Sequence, residues 1–275
     1  MPHSKLQTIF NGIKSTTLAD VFIDRIVKVP DLDKLVTDAK AKSAVGGGSI
    51  RGIKQTEIVG GNATNIAYAL VKFGSETELF AIGDEFTRRL LDLRFQEFDN
   101  IKINMLKGKP GFTIALETDH NNDSNIMISD VGGIEKFNGI DITTNYLKII
   151  EESDIVIISN WASNLDGNQL VNEIFSAAKG SIRLLDFADL STSTSRLQGL
   201  MDNMKNNKII DVISLNENEC QILGKFLDLK KISVEYTINE IKTMAADISS
   251  ILGTIIDIHT PIGSCSASNG DVEFV

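Results

Sequence analysis

Apolar stretches of strand length alternate along this chain with stretches of helical period. Thr17–Val29, TLADVFIDRIVKV, is dense in β-branched residues and predicts a first strand. In Ala63–Phe73 the apolar residues Ile66, Ala67, Leu70 and Val71 recur at helical spacing and predict one inward face. Glu78–Ile82 predicts the next strand. Glu85–Glu97 predicts a helix turning Phe86, Leu90 and Leu93 inward, with Leu91 a further candidate. The same beat returns later. Asp154–Ser159, Ile182–Asp186, Ile209–Leu215 and Thr254–His259 predict strands. Helices are predicted over Asp166–Ala178, Arg196–Met204 (a polar one), a segment opening at Asn216, and Thr237–Leu252. The last sets Ile238, Ile241, Met244, Ala245 and Ile248 in register. Strands alternating with helices imply a mostly parallel sheet covered on both faces.

Two stretches break the beat. Ala44–Val59 and Met105–Ser129 read as short strands joined by Gly- and Asn-rich turns, a small β appendage beside the main sheet. No internal repeat or low-complexity linker divides the chain, so residues 1–275 are expected to form one domain.

Composition narrows the function. Apolar residues make up 42% and charged residues 23%, an ordinary globular mixture. The formal net charge of −10 repels a phosphate backbone and argues against nucleic acid as the main partner, while leaving room for a local basic pocket. Cys220 and Cys265 match no zinc spacing and build no disulfide framework, which favours a reducing compartment. No apolar run approaches the roughly 20 residues of a membrane span, and the N-terminus lacks the apolar stretch of a signal peptide. A cytoplasmic protein is expected.

Several chemistries lack their motifs. There is no G-x-x-x-x-G-K-[ST] phosphate loop, and Gly46–Gly48 misses the G-x-G-x-x-G spacing. The three histidines, at 3, 120 and 259, are too dispersed for a metal cluster, and no G-x-S-x-G elbow occurs. What stands out is Gly60-Gly61-Asn62-Ala63-Thr64-Asn65, leading straight into the helix at Ile66. Two glycines let backbone approach a ligand, and a helix start offers free N–H donors. Asn62 and Asn65, three apart, present amides that both donate and accept, as a hydroxyl does. The same residues also suit a plain turn with an Asn cap. Asp24 lies in the apolar VFIDRIV, where a carboxylate needs a partner: either ligand hydroxyls or an ion pair with Arg25 or another base. Asn216 and Glu219 stand three apart after a strand, at the carboxyl edge where ligands of parallel sheets bind. The spacing also suits a capping box, and both can hold together.

GGNATNIAYALVKFG resembles the first signature of the ribokinase-like (phosphofructokinase-B-type) carbohydrate and nucleoside kinases. Asn216-Glu217-Asn218-Glu219 resembles that family's N-E-x-E motif. Other stretches fall in the family's order: Asp24, Gly83-Asp84, Asp186 at a strand end, and lid segments at Ala44–Val59 and Gly111–Ser129. The resemblance implies a three-layer α/β/α fold with a mostly parallel sheet and a small β lid. It implies ATP and Mg as cofactors, and transfer of the γ-phosphoryl group to a hydroxyl of a sugar, sugar phosphate or nucleoside. It assigns substrate binding to Asp24, Gly60, Gly61, Asn62 and Asn65, and nucleotide binding to Asn216, Thr260 and Gly263. Glu219 would act at the metal by orienting its water. Thr260-Pro261-Ile262-Gly263 departs from the family's T-x-G by one residue, and His259 is a candidate neighbour of an adenine. Arg51 or Lys54 could take a sugar phosphate, or both could be solvated lid charges.

The family's G-A-G-D motif, which carries its catalytic aspartate, has no counterpart in these 275 residues, so no catalytic residue is assigned. The expectation is a missing final segment. The alternative is a catalytically inactive sugar- or nucleoside-binding protein derived from such a kinase. Val45, Ile50, Ile53, Ile58 and the apolar residues of 112–116 and 126–128 exceed what a short lid can hide alone. Closure over a ligand or pairing with a second chain would cover them. The resemblance, in which many members dimerise through this lid and others are monomers, leads to an expected homodimer through Ala44–Val59 and Gly111–Ser129.

Overall fold

A computed structural model describes residues 3–118, 125–139, 142–229 and 236–274. The apolar run Thr17–Val29 is not one strand. It breaks after Ala19 into β1 (Lys14–Ala19) and β2 (Phe22–Val29), which belong to different sheets. β1 is an interior strand of a nine-stranded sheet, two places from one edge. On one side it pairs in parallel with β4 (Glu76–Gly83), and β4 with β5 (Ile101–Lys107). On the other side follow β8 (Ile155–Ile158), β9 (Ile182–Asp186), β10 (Val212–Asn216) and β11 (Ile255–Thr260), all parallel. Two antiparallel strands, β12 (Gly263–Ser268) and β13 (Asp271–Phe274), close that flank.

Both faces of this sheet are covered, as strand alternation demands. Along β4, Phe80 and Ile82 enter one core while Leu79 and Ala81 enter the other. The smaller core lies beneath α3 (Asn62–Lys72) and α4 (Glu85–Arg94), with Ala63, Ala67, Val71, Leu91 and Phe95. The larger lies beneath α5 (Thr144–Glu151), α6 (Gly167–Ala177), α7 (Thr194–Asn207), α8 (Glu217–Phe226) and α9 (Ile238–Leu252), around the fully buried Trp161, Phe175 and Phe187. α1 (His3–Phe10) precedes β1.

Several helix faces differ from expectation. In α4 it is Leu91 that is buried, whereas Phe86 and Leu93 are 59% and 63% exposed. The helix ends at Arg94, and Thr87 takes the first inward position. Ile238 at the start of α9 is exposed, outside the stripe formed by Ile241, Met244, Ala245 and Ile248. The nominally polar α7 buries Leu197, Leu200, Met201 and Met204.

The second sheet is four-stranded, ordered β3 (Gln55–Gly60), β2, β6 (Gly111–Thr118), β7 (Asn125–Asp130). Its boundaries correct the expected lid in two ways. Residues 45–54 are a connector rather than a strand, following α2 (Leu32–Ala44), a helix with no buried residue. Met105–Lys107 belong to β5 of the main sheet, and β2 supplies the lid strand that Thr17–Val29 had hidden.

Candidate functional site

The carboxyl edge of the parallel strands is where the chain reverses around β1, with β4 on one side and β8 on the other. A crevice opens at such a reversal. Here the residues following β1, β8 and β9 and those opening α3 form one network. Asp20, directly after β1 and only 2% exposed, accepts from the backbone N–H groups of Asn62 (2.7 Å) and Ala63 (2.9 Å). It also accepts from the Ser159 hydroxyl (2.6 Å) and, more weakly, from Asn160 Nδ2 (3.5 Å). The start of α3 thus carries a built-in carboxylate. Its first N–H groups are not free for a ligand, as the glycine-rich turn had suggested, because the unpaired donors of a helix start take the nearest anion. Gly61 permits this close seat. It has φ 98°, and a Cβ there would lie 2.6 Å from the Asp20 carbonyl oxygen.

Asp186, ending β9 and 8% exposed, accepts from Asn62 Nδ2 at 2.8 Å and from the Asn160 backbone N–H at 3.4 Å. Burial pushes its carboxyl above the ordinary aspartate value against the pull of the Asn62 bond, and the charge of Asp20 adds to the rise. Asn160 itself sits in the left-handed region at φ 56°, which asparagine tolerates better than most residues. Its Oδ1 is buried without a hydrogen-bond partner.

The lid supplies the opposite wall. Asp24 in β2 pairs in register with Ile58 of β3 and Thr113 of β6. Its face of the lid turns toward the crevice, and a Cβ at Gly60 would collide with Asp24 Oδ2. Gly60 therefore makes room for this carboxylate. Burial raises the Asp24 carboxyl, a hydrogen bond with Thr113 opposes the rise, and the Asp20 charge adds to it. Arg25 does not pair with Asp24. It points to the other face, where it bonds Glu57. Arg94 lies behind the site, over the Tyr68 ring at 5.0 Å, donating to the Val59 carbonyl and, at 2.8 Å, to Asn65 Oδ1.

Between these walls is a cleft of about 650 Å³. Asp20, Gly61, Asn62, Asn65 and Asn160 line it from the main sheet and the start of α3, and Asp24 from the four-stranded sheet. Phe22, Thr113, Met127 and Ser129 of that sheet, Val131 and Glu135 after it, and the 160–165 and 188–192 segments line the rest. Of the expected substrate residues, Asp24, Gly61, Asn62 and Asn65 meet here, and Gly60 stands behind Asp24. Asn62 and Asn65 differ in state: the first is tied to Asp186, the second to Arg94. Asp20, Ser159, Asn160 and Arg94 were missed from sequence. The one available sign was the polar pair Ser159-Asn160 directly after an apolar strand.

The fold is that of the ribokinase-like kinases. The chain superposes on adenosine kinase from Sinorhizobium meliloti with a TM-score of 0.67 at 13% identity, covering 97% of this chain and 80% of that one. Ribokinase from Thermotoga maritima gives 0.66 at 15%, covering 97% and 77%. Ribokinase from Arabidopsis thaliana, solved with ribose and ATP, gives 0.63 at 16%, covering 96% and 77%. No family model and no curated protein matches the sequence. The cleft lies between the small four-stranded sheet and the carboxyl edge of the main sheet.

The second group of expected residues lies further along the carboxyl edge and does not line the cleft. β10 and β11 set Asn216 beside His259, and Thr260 faces Gly263 across the β11–β12 turn. The polar groups here already bond one another. Asn216 Oδ1 accepts from the Asn218 and Glu219 N–H groups at 2.9 Å, and Asn216 Nδ2 donates to Glu219 Oε1 at 2.7 Å. The Asn216 N–H donates to Glu219 Oε2 at 3.0 Å, and the Thr260 hydroxyl to the Gly263 carbonyl at 2.8 Å. The capping-box reading of Asn216 and Glu219 is realised. Glu219 is 3% exposed, and burial pushes its carboxyl up to about 8, with Asp186, Asp189 and Glu217 adding. A carboxyl with both oxygens engaged does not fit direct metal ligation, and among the described residues no cluster of three His, Cys, Asp or Glu is placed to hold a metal ion. Arg51 and Lys54 are exposed in the connector after α2, outside the cleft lining. No described helix is long and apolar enough to cross a membrane.

Proposed function

We propose that the protein is an ATP-dependent small-molecule kinase that holds a sugar or nucleoside in the cleft between lid and sheet and phosphorylates one of its hydroxyls. The observation that carries this reading is the seat of Asp24. A half-buried carboxylate, given its space by Gly60 and left unpaired by Arg25, faces a cleft walled by asparagine amides. A carboxylate accepts two hydrogen bonds from neighbouring hydroxyls, and charge-assisted bonds of this kind fix the orientation of a polyhydroxylated ligand. Asn65 and Asn62 border the same space, and the lid face bearing Thr113 and Ser129 closes over it, excluding water from the reacting groups.

Asn216, Thr260 and Gly263, gathered at adjacent strand ends, mark the side from which a nucleotide would approach. When bound, ATP supplies the phosphoryl group. Any magnesium would come with its phosphates, since Glu219 is suited to contact it only through water. The residues of this chain bind and orient the acceptor; positioning of this kind carries much of the catalysis of phosphoryl transfer.

A second reading, binding without transfer, is favoured by one observation: Asn216 and Glu219 engage each other in a capping box, so their spacing has a structural purpose without a nucleotide. Two measurements on the same protein separate the readings. Calorimetry with ribose and adenosine reports binding, and acceptor-dependent release of ADP reports transfer. Binding with no ADP release selects the second reading, and no binding of either compound removes the cleft from both.

A further inference from the structure

The charge of the cleft goes further than its shape. Asp20, Asp24, Glu135 and Asp189 line it, and among the described residues no Lys, Arg or His does. The cation that acts on Asp24 is Arg94. It stands outside the lining, with one terminal nitrogen on the Val59 carbonyl, the other on Asn65 Oδ1, and its Nε buried without a partner. The helix start that most readily receives a phosphate is spent on Asp20, which takes the N–H groups of Asn62 and Ala63. Independently, Asn160 borders the cleft, is 7% exposed, and keeps an Oδ1 with no donor within reach. A buried acceptor without a partner costs free energy that a donor from a ligand can return. The charged side chains lining the cleft are therefore all anionic, beside one unpartnered acceptor, and they call for a ligand that brings donors and no negative charge.

We propose, resting on the reading of this cleft as the acceptor site, that it selects uncharged or cationic acceptors and rejects those bearing a phosphate or carboxylate. The acceptor is thus an unphosphorylated polyol, a nucleoside or an amino-substituted sugar, and sugar phosphates are excluded from the range the fold permits. Like charges brought together at a site suppress the wrong partner strongly, and the effect weakens as salt screens it.

The test is calorimetric titration of the whole chain with matched pairs: ribose and ribose 5-phosphate, fructose and fructose 1-phosphate, with glucosamine as the cationic probe. In each pair that binds, the phosphorylated member should be weaker by at least about tenfold at low salt, and the gap should narrow at high salt. Glu135→Lys should narrow the gap within each pair by tightening the phosphorylated member more than it changes the neutral one. Glu135 is exposed, so the variant should fold. Glu135→Gln should move the same way by less. Equal or tighter binding of the phosphorylated members overturns the inference while the kinase reading stands. Charge selection without ADP release upholds the inference and removes the transfer step. Failure of every probe to bind removes the acceptor site and the inference with it.

Discussion

Replacing Asp24 by alanine separates ligand binding from folding. In the folded chain the Asp24 carboxyl is raised by burial, so its charged form is held at a cost, and removing it relieves that cost. Its Thr113 partner keeps a second bond, to the Ser129 hydroxyl at 3.0 Å. The expected change in stability is therefore within about 1 kcal/mol, a shift of roughly 2–4 °C in melting temperature. Binding should respond far more. Each hydrogen bond between a carboxylate and a ligand hydroxyl contributes about 1.5–3 kcal/mol, so losing even one weakens affinity about tenfold or more. Calorimetry with ribose and adenosine, paired with thermal melts by circular dichroism, measures both quantities. Gly60→Ala is the companion variant. Its added Cβ meets Asp24 Oδ2 and must displace the carboxylate, so affinity should fall with Asp24 still present. An Asp24→Ala protein with an unchanged melt and an affinity within about twofold of the parent would refute the assignment.

Three further outcomes follow from the same contacts. Asp20→Ala strips the start of α3, Ser159 and Asn160 of a shared acceptor and should cost about 3 kcal/mol or more in urea unfolding, whereas a cost below about 1 kcal/mol would show that the network is not structural. The Glu219 carboxyl, raised to about 8, contributes stability that is fully present below its unfolded value and is lost as pH rises through 8. Melting temperature should therefore fall across that window in the parent and less in Glu219→Gln, and superimposed profiles would remove the buried carboxyl as the cause. The outer lid face carries Phe112, Ile114 and Ile128, each more than 40% exposed, around the Arg25–Glu57 pair. Sedimentation at micromolar concentration should give about twice the 30.1 kDa chain mass, with Ile114→Lys restoring the single-chain mass, and a monomeric parent would leave the lid as a cover only.

The alternating architecture was legible because strand and helix periods are local. Ile182–Asp186 has the same bounds in sequence and structure, and the stripe of Ile241, Met244, Ala245 and Ile248 is buried as its spacing implies. What escaped depends on distant pairing. Nothing in LADVF signals that β1 ends at Ala19. The break exists because β1 joins β4 and β8 while β2 joins β3 and β6, and with it went Asp20, which reads locally as one more polar residue in an apolar run. Met105–Lys107, the end of β5, reads as part of the lid for the same reason, since a short strand does not announce its sheet. Phe86 and Leu93 looked inward because period alone does not say which face of a short helix meets the core. The glycine-asparagine turn was found, but the occupant of its N–H groups was not, because Asp20 lies 42 residues earlier in the chain.

Kinase activity requires transfer of a phosphoryl group to an acceptor held in the cleft. Phosphorus NMR of the whole chain with ATP, magnesium and an unphosphorylated acceptor tests it in one spectrum. The account predicts ADP together with a new phosphate-monoester resonance that requires the acceptor and disappears in Asp24→Ala. An acceptor that binds by calorimetry yet yields neither signal would contradict it.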